Sequence, residues 1–254
     1  RSTTLDESSA ATRHKKGEAN FRAFNKDKPI KYGNRAATLN EASTGIRLGA
    51  WRLIGDKWEL KESGFGATYD VSMEVFQAFQ SYGPGYIVGM DNYYTSVPLL
   101  VSAKQQLQLH CVGTFNSNQS YQPEPGRPLS KRGAAEWRTT EVEGVKLTWM
   151  RYMDNKEVRF LSSAHGSPFA GDGSERKARW SSDLKEFVEV EQPRMKMDYD
   201  KLKSGTDVFD MYLNAIHTTY KSYKPWMPHY LWLFEGCAVT AHLYMKKLNP
   251  EYSK

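Results

Sequence analysis

The stretch that most constrains this chain runs from Tyr86 to Ser96. Tyr86-Ile87-Val88-Gly89 is a short apolar run and reads as a buried strand. Met90-Asp91-Asn92-Tyr93-Tyr94-Thr95-Ser96 follows, and Val97-Pro98-Leu99-Leu100 leads into a helix over Val101 to Gln106. Ser96 is suited to cap that helix, and Pro98 is tolerated in a first turn, whose N–H groups lack helical partners. A strand passing at once into a helix predicts an α/β arrangement. It also puts Asp91 at the carboxyl end of the strand, where such sheets present ligand-binding groups.

The flanking pattern agrees. Arg35 to Asn40 reads as a first strand with Glu41 just past its end, Ala42-Ser43-Thr44-Gly45 as a turn, and Ile46 to Ile54 as the returning strand. Gly55-Asp56-Lys57 is a further turn candidate, and a helix is expected from Tyr69 to Ser81. Leu109 to Phe115 reads as a strand, and Asn116 to Gly133 as a long polar loop. Val145 to Tyr152 and Glu157 to Ser162 alternate and are joined by Met153-Asp154-Asn155-Lys156, which predicts a hairpin. His165 to Arg179 reads as a second polar loop. Helical periodicity marks Gly205 to Tyr223 and Pro228 to Lys247. Two stripes are expected to face the core, Phe209, Leu213, Ile216 and Tyr220 on the first helix, and Tyr230, Leu231, Phe234, Cys237, Ala238, Ala241 and Met245 on the second.

Residues 1 to 34 are polar, basic and punctuated by Gly17, Pro29 and Gly33, so loop and turn are expected there. With Lys15 and Lys16 this stretch reads either as a solvated arm or as a surface for nucleic-acid phosphates. Lys131 and Arg132 are further phosphate candidates. The formal charge of +6 permits a polyanion partner without requiring one. Trp137, Trp149, Trp180, Trp226 and Trp232 read as packing residues rather than base platforms. Two cysteines, Cys111 and Cys237, form neither a CxxC nor a disulfide framework, which suits a reducing compartment. No apolar run is long enough to span a bilayer, and no signal peptide is evident. The chain opens at Arg1 without a Met, as expected of a fragment. No P-loop, dinucleotide fingerprint, G-x-S-x-G elbow, HExxH or zinc-finger spacing is present, so no small-molecule cofactor is expected.

Three acidic positions stand out. Asp91 follows a strand, Glu41 follows another, and Asp207 lies with Asp210 in Ser204-Gly205-Thr206-Asp207-Val208-Phe209-Asp210. A helix beginning near Ser204 would put the last two on one face, one turn apart, near the positive end of the helix dipole. Each also has a plain reading, as a turn residue, a hairpin residue or ordinary first-turn acid. Together they are the hard oxygen ligands that Mg²⁺ takes. Two such ions can stabilise the attacking and leaving oxygens in phosphodiester chemistry.

The ordered motifs resemble the catalytic domain of a piggyBac-type transposase over roughly residues 4 to 248. Leu5-Asp6-Glu7 resembles that family's entry segment, and Asn25 to Gly33 the stretch before its first catalytic strand. Asp91-Asn92-Tyr93-Tyr94-Thr95-Ser96-Val97-Pro98-Leu99 resembles its DN-aromatic-aromatic-TS-x-PL motif, the most specific match. Gly113-Thr114-Phe115-Asn116 and Lys156 to Ser163 resemble its later strands, and Gly205-Thr206-Asp207-Val208-Phe209-Asp210 its GGVDxxDQ motif.

The resemblance implies an RNase H-like mixed sheet flanked by helices, with a β-rich insertion between the second and third acids. The expected divisions are 1–34 as a basic entry segment, 35–115 as the first part of the core, 116–190 as the insertion and loops, and 191–254 as the helical completion. It further implies a nuclear enzyme that cuts and rejoins duplex DNA at transposon ends with two Mg²⁺ or Mn²⁺ ions, with homodimerisation open. Asp91 then matches the second catalytic acid, Asp207 the third and Asp210 the accessory acid. Glu41 stands where the family has Asp. Ser204-Gly205 replaces its Gly-Gly, and Met211 its Gln. These departures leave a second implication open, a domesticated, non-catalytic DNA- or chromatin-binding module.

Overall fold

Small and β-branched side chains suit a strand covered on both faces, and β3 (Tyr32–Glu41) is such a strand, burying Ala36, Ala37, Thr38, Leu39 and Asn40 in succession. The structure, a computed structural model, describes residues 1–11, 22–24, 26, 31–54, 63–117, 119–121, 123, 124, 126–167, 175–181, 185–217, 224 and 226–253. Lys15, Lys16, the Gly55-Asp56-Lys57 turn, Tyr220 and part of the His165 to Arg179 loop lie outside them. The chain divides into two units, Ser2–Gly83 with Lys203–Lys254, and Pro84–Leu202 with Arg1.

In the first unit β3 pairs antiparallel with β1 (Ser2–Ala11), β2 (Arg22–Phe24) and β4 (Arg47–Ile54). The presence of β1 and β2 corrects the expectation of loop and turn before residue 35. Thr3, Thr4, Leu5, Ser8 and Ala10 of β1 are buried. Pairing with β3 from Gly33 to Glu41 supplies the hydrogen bonds, and Glu7 meets Arg35 at 3.3 Å. Helix α1 (Ala67–Phe79) buries Val71, Val75, Phe76 and Phe79, close to its expected span. Helices α4 (Gly205–Ile216) and α5 (Met227–Leu248) share a core with this sheet: Ala10, Ala36, Ile46, Phe209, Leu213, Trp232, Val239 and Leu243.

Helix α5 keeps close to its predicted limits, whereas α4 ends at Ile216, short of the expected Tyr223, and the predicted faces hold less well. Phe209 and Leu213 are buried, but Ile216 is exposed. On α5 the expected core stripe is largely turned to solvent: Tyr230, Phe234, Cys237, Ala238, Ala241 and Met245 are exposed. The buried face carries Trp232, Glu235, Gly236, Val239 and Leu243 instead. Gly236 explains part of this choice, since a Cβ there would lie 3.0 Å from the Arg47 guanidinium. Buried Glu235 is matched by His217 at 2.9 Å.

In the second unit β5 (Ile87–Met90) runs parallel to β6 (His110–Thr114). Antiparallel pairs then lead through β9 (Glu157–Ser162) and β8 (Val145–Met153) to β7 (Ala135–Val142). The β8–β9 hairpin is as expected, and β7 is an unforeseen third strand. Arg151 of β8 is buried and held by Glu136 at 2.8 Å and Glu157 at 2.5 Å. Strands β10 (Glu175–Ser181) and β11 (Glu186–Gln192) form a separate ribbon, so the second polar loop ends sooner than Arg179. Helices α2 (Val97–Leu107) and α3 (Arg194–Leu202) pack on the sheet, and Gly89 lets α3 approach, since a Cβ there would come within 2.5 Å of Leu202. The result is the mixed sheet with flanking helices of an RNase H-like arrangement.

A polar chain ties β9 to α3. His165 Nε2 lies 3.2 Å from Asp198 and its Nδ1 lies 2.7 Å from Ser162 Oγ, whose hydroxyl also donates to the Cys111 carbonyl at 3.2 Å. Ser162 is fully buried, so this is a brace and not a nucleophile. Burial pushes the His165 imidazole below its ordinary 6.5, against the pull of Asp198. The unfolded chain therefore takes the proton more readily. The stability is present above the unfolded value and is lost as pH falls toward the folded one. The urea midpoint should drop between about pH 7 and pH 5.5, and His165→Gln should flatten that drop. His229 shifts in the same direction through burial and Arg47, so part of the slope remains in the variant.

Candidate active site

Within the second unit, β5 ends at Met90 and Asp91 opens the turn into α2. Asp91 Oδ1 accepts from the N–H of Tyr93 at 2.9 Å and of Tyr94 at 3.3 Å, which orients the carboxylate. Thr95 donates through both its N–H and its hydroxyl to the Asp91 carbonyl, at 3.1 and 2.7 Å. Ser96 then caps α2 by accepting from Leu99 N–H at 3.4 Å. The fold requires glycine at Gly113, where a Cβ would stand 2.0 Å from Thr95 Oγ1. Gln119 donates to the carbonyls of Asn92 and Thr95, and Asn92 donates to Asn116, so the loop after β6 braces this turn.

Within the first unit, Glu41 is the last residue of β3. The chain turns back at once, with Gly45 N–H donating to Glu41 O and Glu41 N–H to Ile46 O, both at 2.8 Å. The start of α4 is pressed onto this turn. A Cβ at Gly205 would meet Thr4 Oγ1 at 2.7 Å, Glu41 O at 2.9 Å and the Ala42 Cα at 3.0 Å. A Cβ at Gly45, where φ is +77°, would meet Val208 at 2.9 Å. Ser204 supplies no capping bond, and Thr4 of β1 serves instead, accepting from Gly205 N–H at 3.2 Å. Thr206 and Asn40 complete the junction at 3.4 Å. Glu41 and the helix carrying Asp207, remote in sequence, thus occupy abutting elements.

The side chains at this junction differ in state. Asp207 is exposed. Asp210 is half-buried and accepts from Ser8 Oγ at 2.6 Å. Ser8 Oγ in turn accepts from Arg47 Nη2 at 3.4 Å. Arg47 is buried with its guanidinium 3.9 Å from the Phe209 ring and 4.2 Å from the Trp232 ring. Burial pulls its pKa down to about 10 while the Asp210 charge opposes the fall, so it stays a cation at neutral pH. Arg47 was not foreseen from sequence, because a single Arg in a predicted strand carries no signal of burial.

Glu41 already holds a cation. Lys247, in the last turn of α5, donates to both carboxylate oxygens at 2.7 and 2.8 Å. The Thr44 hydroxyl also donates to Oε2. Burial raises the Glu41 pKa, but the Lys247 hydrogen bond, the Thr44 hydroxyl and the Lys247 charge outweigh it, so the group sits below its ordinary 4.5. An ionised carboxylate that binds an ammonium has the oxygen-donor chemistry that a hard divalent ion also takes. Among the described residues, no three His, Cys, Asp or Glu side chains gather as a ready metal site.

The profile of the family described as Transposase IS4 matches residues 1–240. The chain belongs to the IS4 transposase family. A piggyBac transposase, solved by cryo-EM in a synaptic complex with hairpin DNA, is similar in structure to this IS4-family chain at a TM-score of 0.71 and 22% identity. The likeness covers 96% of this chain and 48% of the other, so the chain spans about half the length of that transposase. At this identity the likeness establishes the fold.

Other expected contacts resolve individually. Arg132 is engaged inside the protein, donating to Asp154 at 2.8 Å and to the Trp180 carbonyl at 2.9 Å, whereas Lys131 is exposed. Trp149 and Trp232 are buried packing residues as expected, but Trp137, Trp180 and Trp226 are about half exposed. Among the described residues no helix is long and apolar enough to cross a membrane.

Proposed function

We propose that this IS4-family chain is the core of a piggyBac-like transposase that cleaves duplex DNA and transfers strands at transposon ends, acting in the nucleus. The observation that carries this reading is the junction of β3 and α4, which brings the strand-end Glu41 and the helix of Asp207 onto touching elements. Glu41, Asp91 and Asp207 would hold Mg²⁺ or Mn²⁺, with Asp91 assigned by its motif. When bound, such ions activate an attacking oxygen and stabilise a leaving 3′-oxygen. The chain's own part is to keep these carboxylates ionised and fixed: the Tyr93 and Tyr94 N–H groups orient Asp91, and Thr44 orients Glu41. Asp210 supports α4 through Ser8 and Arg47.

The test is nicking and strand transfer on plasmid and transposon-end duplexes with Mn²⁺ or Mg²⁺. Asp91→Asn should abolish both with little loss of stability, because the amide oxygen still accepts from Tyr93 and Tyr94 while the charge is gone. Activity that persists in Asp91→Asn would sink this assignment. The Lys247–Glu41 pair favours a second reading, a module that binds DNA without cutting it. That reading predicts salt-dependent affinity in the absence of metal and no nicking.

A further inference from the structure

The Lys247 ammonium spans the two oxygens of Glu41, which is the position a divalent ion would take on a bidentate carboxylate. Its neighbour Lys246 donates to the Tyr212 hydroxyl of α4 at 3.0 Å and lies 5.6 Å from that ring. The last turn of α5 is therefore fastened at two successive residues, one on the end of β3 and one on α4. The Glu41 side chain reaches from the end of β3 to this helix end. The pair is partly exposed, with side-chain accessibilities of 46% for Lys247 and 27% for Glu41. A pair in that setting exchanges readily, because water and ions compete for both partners.

We infer that Lys247 is a tethered cation that competes with divalent metal for Glu41, so that metal enters this position only as the Lys247 ammonium lets go. The inference rests on the proposed function in taking Glu41 as a metal position, but it concerns binding rather than turnover. Lys247 is a positioning residue: it acts on Glu41 and touches no reacting atom. Lys246 and Tyr212 set the strength of the device, since they hold the helix end in place whether or not the ammonium is engaged.

The test is a Mn²⁺ titration of the ¹⁵N-labelled chain, followed by paramagnetic broadening of the amides of Glu41, Thr44, Gly45 and Ile46. Lys247→Met should lower the Mn²⁺ concentration for half-broadening by about fivefold, the weight of one partly exposed ion pair. Lys247→Arg, which keeps the charge, should stay near wild type, and Glu41→Gln should remove the broadening. Unchanged amide spectra away from residues 41–46 and the α5 end show that each variant is folded. Coincident titrations for wild type and Lys247→Met, or broadening that survives Glu41→Gln, would overturn the inference. Duplex DNA affinity in EDTA is measured on the same proteins. Its absence at low salt would sink the DNA reading while leaving the competition at Glu41 decided by the Mn²⁺ titrations alone.

Discussion

Asp210→Ala is expected to destabilise the unit built from Ser2–Gly83 and Lys203–Lys254 by about 3 kcal/mol, the scale for stranding a buried charge. Arg47 is enclosed between the Phe209 and Trp232 rings, and its Nε has no hydrogen-bond partner among the described residues. The Asp210 charge and the Ser8 hydroxyl offset that burial. Removing the carboxylate leaves the guanidinium desolvated and frees Ser8 from its acceptor. Asp207→Ala, three residues earlier and exposed, should change stability by only about 0.5 kcal/mol or less. The contrast separates two acids that share a motif. A double variant sharpens it: Arg47→Met removes the buried cation, so Asp210→Ala in that background should cost far less than alone. Urea denaturation of the four proteins measures the coupling. If Asp210→Ala costs no more than Asp207→Ala, Asp210 is not the counter-charge of Arg47.

How much of this was legible in the sequence depends on which force decides each element. The β5–Asp91–α2 turn was legible, because its signals are local: an apolar run, a capping Ser96 and a first-turn Pro98. The hairpin of β8 and β9 was legible for the same reason. Strand β1 was not. Ser-Thr-Thr-Leu-Asp-Glu-Ser-Ser-Ala-Ala carries little apolar signal, and it is a strand because β3 pairs with it along most of its length. The orientation of α5 was not legible, because the helix has two apolar faces. The face chosen by the fold is the one on which Gly236 admits Arg47 and His217 satisfies Glu235, and neither contact is local. The acidic positions were found by motif, but their states were not legible. Nothing in the spacing of Glu41, Asp207 and Asp210 says that the first holds Lys247, the second faces solvent and the third balances a buried arginine.

On the function proposed above, Glu41→Asp is expected to raise metal-dependent nicking by about 10²-fold, the scale attached to misplacing a catalytic group by roughly an ångström. The substitution shortens the side chain by one C–C bond, about 1.5 Å. Lys247 donates to the present carboxylate at 2.7 and 2.8 Å, so the shorter acid keeps those bonds only if the end of α5 moves. That helix end is also fastened by Lys246 to Tyr212, which resists the movement. The aspartate would instead draw back toward the β3–α4 junction, away from the ammonium. Two consequences follow from one change: the competing cation is weakened, and the carboxylate is repositioned. They are separable, because Lys247→Met weakens the competitor without moving the acid. Supercoiled-plasmid nicking in Mn²⁺ by wild type, Glu41→Asp, Lys247→Met and the double variant measures each part. Adding Asp91→Asn to Glu41→Asp should return the rate to background, which excludes a contaminating nuclease. If Glu41→Asp is folded and binds duplex DNA at low salt yet nicks no faster than wild type, the extra methylene at position 41 is not what limits this chain.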